Sequence, residues 1–250
     1  MGEKREGGRL RLDKLLSMAG MTRSEARRAV ASGRVWVDGA PARDPGARAY
    51  ARDVRLDGRP IEAEAELYLM VNKPAGVVTA TEDARFETVV DLLPERLRRR
   101  GLGPVGRLDR DVGGLVLLTT DGALAHRLIS PKRKAEKVYL ARCAGRLGED
   151  DVRAFAEGVP LGDFVARPAR LEIVESSDDG SVARAALTEG KFHQVKRMFA
   201  AVGHPLESLF RERIGCVALD PALAPGEFRP LTEEEIAGLR ALTGLSEADG

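Results

Sequence analysis

The stretch GRLDRDVGGLVLLTTDG, residues 106–122, sets Asp109 and Asp111 among arginines and directly ahead of an apolar run. Carboxylates this close to a core-like strand are costly unless they are paired or put to use. Three uses are open to them: closing a turn, binding a metal, or attacking a substrate. A metal finds little support. His126, His193 and His204 show no ligand spacing, and no DxDxDG calcium loop is present. The run GPVGRLD lacks the GK[ST] ending of a phosphate loop. Two residues apart on a strand, the aspartates would share a face, a spacing that leaves open the paired carboxylates of a glycosidase. An aspartate that closes a turn before a strand is the plainest alternative.

Whatever the pair does, flanking elements must hold it. GLVLLTT reads as a buried strand by its unbroken apolar run, and DGALAHRLIS as a helix opening at Asp121. Ahead of the pair, LYLMVNKPAGVV predicts an apolar strand broken at Lys73-Pro74 and Gly76. TVVDLLPERL predicts a short helix, and RLRRRGLGPVGRLDRD a basic loop. Beyond a basic turn, PKRKAEK, come the strand VYLARCAG, the helix EDDVRAFAEG and the paired strands ARLEIVE and SVARAALTEG. HQVKRMFAAVG predicts an amphipathic helix with Val195, Met198, Phe199 and Val202 as its core stripe. FRERIGCVALD and GEFRPLTEEEIAGLRAL supply further strands and a last helix capped by Thr232. Strands and helices mixed without regular βαβ alternation predict an α+β unit on a mixed, mostly antiparallel sheet flanked by helices.

The first sixty residues differ from the rest. They hold 14 Lys and Arg against 8 Asp and Glu, whereas the whole chain is almost balanced at 40 against 39. A basic N-terminal part on a mildly acidic body suggests a polyanion-binding module joined to something else. RLDKLLSMAG predicts a helix with Leu12, Leu15 and Leu16 on one face, and TRSEARRAVASG a second with a Thr22–Glu25 capping box. RVWVDGAPA and DVRLDG each run a strand into an Asp-Gly turn, a hairpin signal. Helical spacing brings Arg23, Arg27 and Arg28 near one face, close to Arg34. The expected organisation is a disordered tail at 1–8, a small α/β domain at 9–58, a linker at 59–66, a large domain at 67–243 and a tail at 244–250. At 43% hydrophobic, the chain can bury a sizeable core. Cys143 and Cys216 form no CxxC pair, which fits a reducing, cytoplasmic setting. No apolar run approaches the roughly 20 residues of a membrane span, so no membrane partner is expected.

RLDKLL, TRSEARRAVASGRVWVDG and DVRLDG together resemble the RNA-binding domain named after ribosomal protein S-four. The resemblance implies that Arg23, Arg27, Arg28 and Arg34 face RNA phosphates, which supply affinity more than sequence choice. GPVGRLDRDVGGLVLLTTDG resembles the catalytic motif of the pseudouridine synthases of the RsuA, RluA and TruB groups, in which the aspartate of GRLD is the nucleophile. KVYLA, 137–141, resembles their tyrosine segment, and EGKFHQVKRMFAAVG, 189–203, their third motif, where a basic residue neighbours the aspartate. With the N-terminal domain this is similar to the RsuA-type architecture. The C-terminal run from HQVKRM through RERIG to GEFRPLTEEEI looks most like the small-subunit branch, the 16S rRNA pseudouridine-516 synthases. Val112-Gly113-Gly114 departs from the Thr-Thr-Gly or Thr-Ser-Gly of many relatives, so any hydroxyl contact from those threonines is absent.

The implied reaction breaks the N-glycosidic bond of a uridine, turns the base and rejoins it through C5. Nothing is oxidised or added, so no cofactor or metal is expected. An ionised carboxylate must attack or stabilise ribose or base, and the uridine must leave its stack to be reached. The resemblance assigns the attack to Asp109, with Lys196 as the cation that opposes its protonation and Arg197 or Arg107 as substitutes. Tyr139 would stack on the flipped base and help remove the C5 proton. Arg110 would enter the space left by that base, and His193 caps or packs at its helix start. The implied partner is 16S ribosomal RNA in a partly assembled small subunit, taken by a monomer. A large-subunit synthase, a non-catalytic assembly factor and a base-releasing glycosylase stand as alternatives.

Overall fold

A computed structural model of the chain describes residues 9–61, 66–130 and 135–245. The expected tail at 1–8, residues 246–250 of the tail expected at 244–250, most of the linker and the basic PKRK turn lie outside the described residues, while Gly244 caps the last helix and Leu245 packs against the core. The N-terminal unit comprises β1 (Leu10–Arg11), α1 (Leu12–Met18), α2 (Arg23–Ala31), β2 (Val35–Val37), β3 (Ala40–Pro41), β4 (Arg48–Ala49), β5 (Val54–Leu56) and β6 (Arg59–Pro60). Leu12, Leu15 and Leu16 of α1 bury against Ala26, Ala29 and Val30 of α2 and against Val35 and Val54 of the sheet. The Thr22–Glu25 box forms: Thr22 N donates to Glu25 Oε2 at 2.7 Å, and Glu25 N to Thr22 Oγ1 at 3.2 Å. Both Asp-Gly turns take positive φ at both residues, 49° and 77° at Asp38-Gly39 and 51° and 80° at Asp57-Gly58. That backbone matches the twist of the strands it joins, giving the antiparallel order β3-β2-β5-β6. Arg59 and Pro60, expected to begin the linker, instead pair with β5, because the second Asp-Gly turn folds them back.

The larger unit runs β7 (Tyr68–Lys73), α3 (Glu95–Arg98), β8 (Gly103–Pro104), β9 (Gly113–Thr119), α4 (Gly122–Ile129), β10 (Lys137–Cys143) and α5 (Glu149–Glu157). It continues through β11 (Arg170–Ser177), β12 (Gly180–Leu187), α6 (Gln194–Ala201), β13 (Leu206–Ile214), β14 (Val217–Ala218), β15 (Phe228–Pro230) and α7 (Glu233–Thr243). Among the described residues its strands form one sheet of order β11-β12-β10-β13-β9-β7-β15, with β14 on β13 and β8 on β9. Every pairing is antiparallel except β9 with β13, which is parallel at Gly113–Phe210 and Gly114–Arg211. Alternate residues of the central strands enter different cores. Leu69, Val71, Val116 and Leu118 pack with Phe155, Met198 and Phe199 of α5 and α6. Tyr68, Met70, Leu115 and Leu117 pack with Leu124, Leu128 and Leu239 of α4 and α7. A strand covered on both faces has no polar side to show, hence the unbroken apolar runs.

Two expectations are corrected here. The helix expected over TVVDLLPERL is confined to α3, since Pro94 favours an extended residue before it and takes the N-cap itself. Thr88 and Asp91 close their own turn instead, with Thr88 N and Oγ1 donating to Asp91 Oδ2 at 2.9 and 2.8 Å. Within the expected basic loop, Gly103 and Pro104 form β8 against the end of β9. Between the units, Lys14 of α1 meets Glu66 at 2.5 Å.

Candidate active site

Asp109 lies on the segment that leaves β8 and turns into β9, and main-chain contacts fasten that segment on both sides. Thr79 Oγ1 donates to Leu108 O at 2.9 Å and accepts from Leu108 N at 3.2 Å. Gly76 N donates to Arg110 O at 2.7 Å, and Val112 N to Asp109 O at 3.1 Å. Lys73 ends β7 fully buried, and its Nζ donates to the carbonyls of Val112 at 2.7 Å, Pro74 at 2.9 Å and Arg110 at 3.2 Å. Burial pushes the Lys73 pKa down to about 8, against the pull of Asp111 and Asp109 and with a further push from Arg211. Val112 is buried in the core. The anchoring thus falls on the backbone of the segment, gripped by the Thr79 hydroxyl and the Lys73 ammonium from the strand and loop ahead of it. Gly114 has a functional geometry of its own: at φ 105° a Cβ there would lie 2.4 Å from Arg211 O, so only glycine admits the parallel strand.

The two aspartates do not share a strand face, because the segment turns at Arg110 and Asp111 before β9 begins. They converge on one ammonium. Lys196, in the first turn of α6, places Nζ 3.1 Å from Asp109 Oδ2 and 2.7 and 2.9 Å from the two oxygens of Asp111. Burial alone would lower the Lys196 pKa, but the hydrogen bonds and charges of Asp111 and Asp109 outweigh it and raise it. Asp111 is held below the usual carboxylate range, chiefly by its hydrogen bond from Lys196. His193 precedes α6 in a left-handed conformation, φ 50° and ψ 27°, and makes no side-chain cap. The expected cap is thus absent, and its Nε2 stands 3.5 Å from Asp109 Oδ1, while the expected packing at the helix start is met by a neighbouring ring. Phe192 is 73% exposed and stacks on the His193 ring at 3.8 Å.

A cleft of about 760 Å³ opens beside Asp109, lined also by Arg107, Arg110, Lys137, Tyr139, His193 and Arg211. Tyr139 is 8% exposed and lies directly across the β10–β13 pair from Arg211. Arg110 is exposed, its guanidinium 4.2 Å over the Phe86 ring. Arg107 is exposed on the same wall. The structure thus brings Asp109, Lys196, Tyr139, Arg107 and Arg110 to one site and leaves Arg197 out. Arg197 faces away, donating to Leu161 O at 2.5 Å and pairing with Asp163. In the N-terminal unit, Arg27 and Arg28 are exposed on α2, and the side chain of Arg23 lies outside the described residues. Arg34 is already engaged, with Nε and an amino nitrogen on Asp57 at 2.8 and 2.5 Å.

Sequence reasoning passed over Lys73, Thr79 and Arg211. Lys73 had a signal, a charged residue closing an apolar strand, but its partners are backbone carbonyls that no side-chain pattern announces. Arg211 opens RERIG, which read as a strand and as a mark of the branch, with no role at the site.

The RNA pseudouridylate synthase family model matches residues 67–201, and the S4 domain model matches 10–49. The chain is 45% identical over 232 residues to an uncharacterized RNA pseudouridine synthase, YtzG, of Bacillus subtilis, covering 91% of this chain and 97% of that protein. It is 42% identical over 235 residues to ribosomal small subunit pseudouridine synthase A of Escherichia coli, covering 92% of this chain and 100% of that one. A crystal structure of a pseudouridylate synthase superposes with a TM-score of 0.66 at 37% identity, over 92% of this chain and 99% of the other.

Proposed function

We propose, because this chain belongs to the RNA pseudouridylate synthase family, that it converts one uridine of 16S ribosomal RNA into pseudouridine, with Asp109 as the nucleophile. It is an isomerase acting on RNA, with an S4 domain ahead of the catalytic unit. The narrower target rests on relatives named as small-subunit enzymes at 42–43% identity over nearly their whole length. Residues 9–60 are the RNA clamp and residues 67–243 the catalytic domain in this reading. The substrate is a partly assembled small subunit, met in the cytoplasm by a monomer. No helix among the described residues is long and apolar enough to cross a membrane.

One observation carries the assignment of Asp109: it alone of the two aspartates both lines the cleft and touches Lys196. Its side chain is 31% exposed, against 73% for Asp111. A carboxylate that must meet a sugar or a base needs the cleft, while the more exposed one serves to hold the ammonium. The uridine leaves its stack and enters beside Tyr139, whose ring offers a stacking face and whose hydroxyl helps take the C5 proton in this reading. Arg110, held over Phe86 at the rim, fills the gap the base leaves. Lys196 sets a positive charge 3.1 Å from the attacking carboxylate. Bond breaking, rotation and rejoining then return every atom to the product.

Asp109→Asn is expected to fold, bind RNA and release no tritium from RNA labelled at uridine C5. Asp111→Asn keeps measurable turnover, lowered because Lys196 loses its tighter partner. Substantial turnover by the Asp109 variant refutes the mechanism. Pseudouridine mapping of ribosomal RNA with and without this gene tests the target, and a lost site in large-subunit RNA refutes the 16S assignment.

A further inference from the structure

Beside Tyr139 lies a cation that the reaction as described leaves idle. Arg211 is 2% exposed, yet it lines the cleft. Its Nε donates to Leu115 O at 2.8 Å. One of its amino nitrogens is buried with no hydrogen-bond partner. Among the described residues no carboxylate pairs with it. Two other cations stand near it, for its charge pushes down the pKa of both Lys73 and Lys137. A register shift at Val138/Tyr139 in the pairing with β13 falls beside it, and such bulges re-aim side chains. The floor of the cleft therefore carries a buried cation with an unused donor, while Asp109, the carboxylate lining the cleft, already faces Lys196. Buried donors without acceptors are rare in folded proteins, and one that lines a ligand cleft is best explained by the ligand.

The part of an RNA that reaches a floor is the base, since the strongly hydrated phosphates stay at the mouth. Uracil offers O2 and O4 as acceptors. When the C1′–N1 bond breaks, its electron pair leaves with the base, and the negative charge spreads onto those two oxygens. Turning the ring about the N3–C6 axis exchanges N1 with C5 and, by the same motion, O2 with O4. C5 then bonds C1′, the C5 proton departs and N1 takes up a proton. A donor fixed beside the ring therefore meets a carbonyl oxygen both before and after the turn. We propose that Arg211 is a catalytic residue that donates to uracil O2 before rotation and to O4 after it, and holds the charge of the detached base in between. The proposal rests on the reading that the uracil lies against Tyr139. It also gives a reason for refusing cytidine, whose N4 amino group would turn a donor toward the guanidinium.

The test compares Arg211→Gln and Arg211→Lys with the parent enzyme on a small-subunit RNA fragment, with melting curves run alongside. Because the charge appears only after binding, Arg211→Gln is expected to lower kcat by about 100- to 1000-fold with KM within about twofold, as for loss of one oxyanion donor. Arg211→Lys recovers part of kcat. A merely structural role would move the melting temperature and spare this KM-against-kcat split. Parent enzyme is also given RNA carrying 2-thiouridine or 4-thiouridine at the target. Sulfur accepts hydrogen bonds poorly yet eases departure of the base, and at least one substitution is expected to slow turnover about tenfold. A folded Arg211→Gln enzyme with parental kcat overturns the proposal. Should that variant not fold, thio-substituted RNAs that both turn over at or above the uridine rate overturn it. Neither result touches Asp109, whose own variant tests the underlying site.

Discussion

Lys73→Met separates what one ammonium does for the fold from what it does for the catalytic segment. The substitution keeps the volume of a fully buried side chain and deletes the donor to the carbonyls of Val112, Pro74 and Arg110. Two contributions oppose each other. Groups left without a partner cost about 1–3 kcal/mol each. Against that, holding a cation whose pKa has dropped from 10.5 to about 8 costs the parent on the order of 3 kcal/mol at neutral pH. Arg110 O keeps its bond from Gly76 N, so two carbonyls at about 1–3 kcal/mol each, less the roughly 3 recovered, give an expected net loss at pH 7 of at most about 3 kcal/mol, read by urea unfolding. Turnover suffers more, because Arg110 and Val112 flank the aspartates and a shift of about 1 Å costs roughly 100-fold. The pH dependence has a definite sign. Between about 8 and 10.5 the folded state has released the Lys73 proton while the unfolded state keeps it. Raising the pH therefore favours the folded parent through this group, up to about 3 kcal/mol, and that contribution is lost again as the pH falls through 8. The variant lacks this rise, so the stability gap between parent and variant widens from pH 8 to 10.5. A gap that stays constant over that window, or a variant with parental kcat in tritium release, refutes the reasoning.

Lys196→Met removes the charge 3.1 Å from Asp109. Such a contact is worth about 1 kcal/mol in water and about 5 at an effective dielectric of 20, and the partial exposure of both side chains places it near 2, about 30-fold in kcat. Asp111 loses the hydrogen bond that held it down and titrates at higher pH, as followed by carboxyl NMR; a kcat within twofold of the parent shifts the partnership to Arg107. Replacing Arg23, Arg27 and Arg28 together by Ala is expected to weaken RNA binding and flatten its salt dependence by roughly 0.7–0.9 in log–log slope per lost phosphate contact. Saturating RNA then restores most of the rate, and an unchanged slope shows α2 to be only a solvated face.

What could be read beforehand was whatever is written in spacing. The Thr22–Glu25 box, the Asp-Gly hairpins and the doubly covered strands follow from local rules, and the structure has each of them. Asp109 and Lys196 were legible together because each stands in a motif. Which way a side chain turns was not. Lys196 and Arg197 are adjacent, yet one meets Asp109 and the other Asp163, a choice made by the facing of α6 against the sheet. His193 turns toward Asp109 through a left-handed φ that its residue type does not require. Lys73 and Arg211 stayed hidden because their bonds run to main-chain oxygens brought near by strand pairing across the chain.

The parallel contact at Gly114 and Arg211 joins segments about a hundred residues apart, and that distance has a bearing on biosynthesis. The N-terminal unit closes all its pairings within residues 10–60, so it can fold soon after it emerges. Asp109 emerges next but has no floor, since Lys196 and β13 are still to be made. Contacts of long range form late, after the entropy of closing the intervening chain has been met. A nascent chain on the ribosome therefore completes the unit with the basic helix first and its chemistry last, and a chain interrupted before β13 is inert however well its first domain has formed.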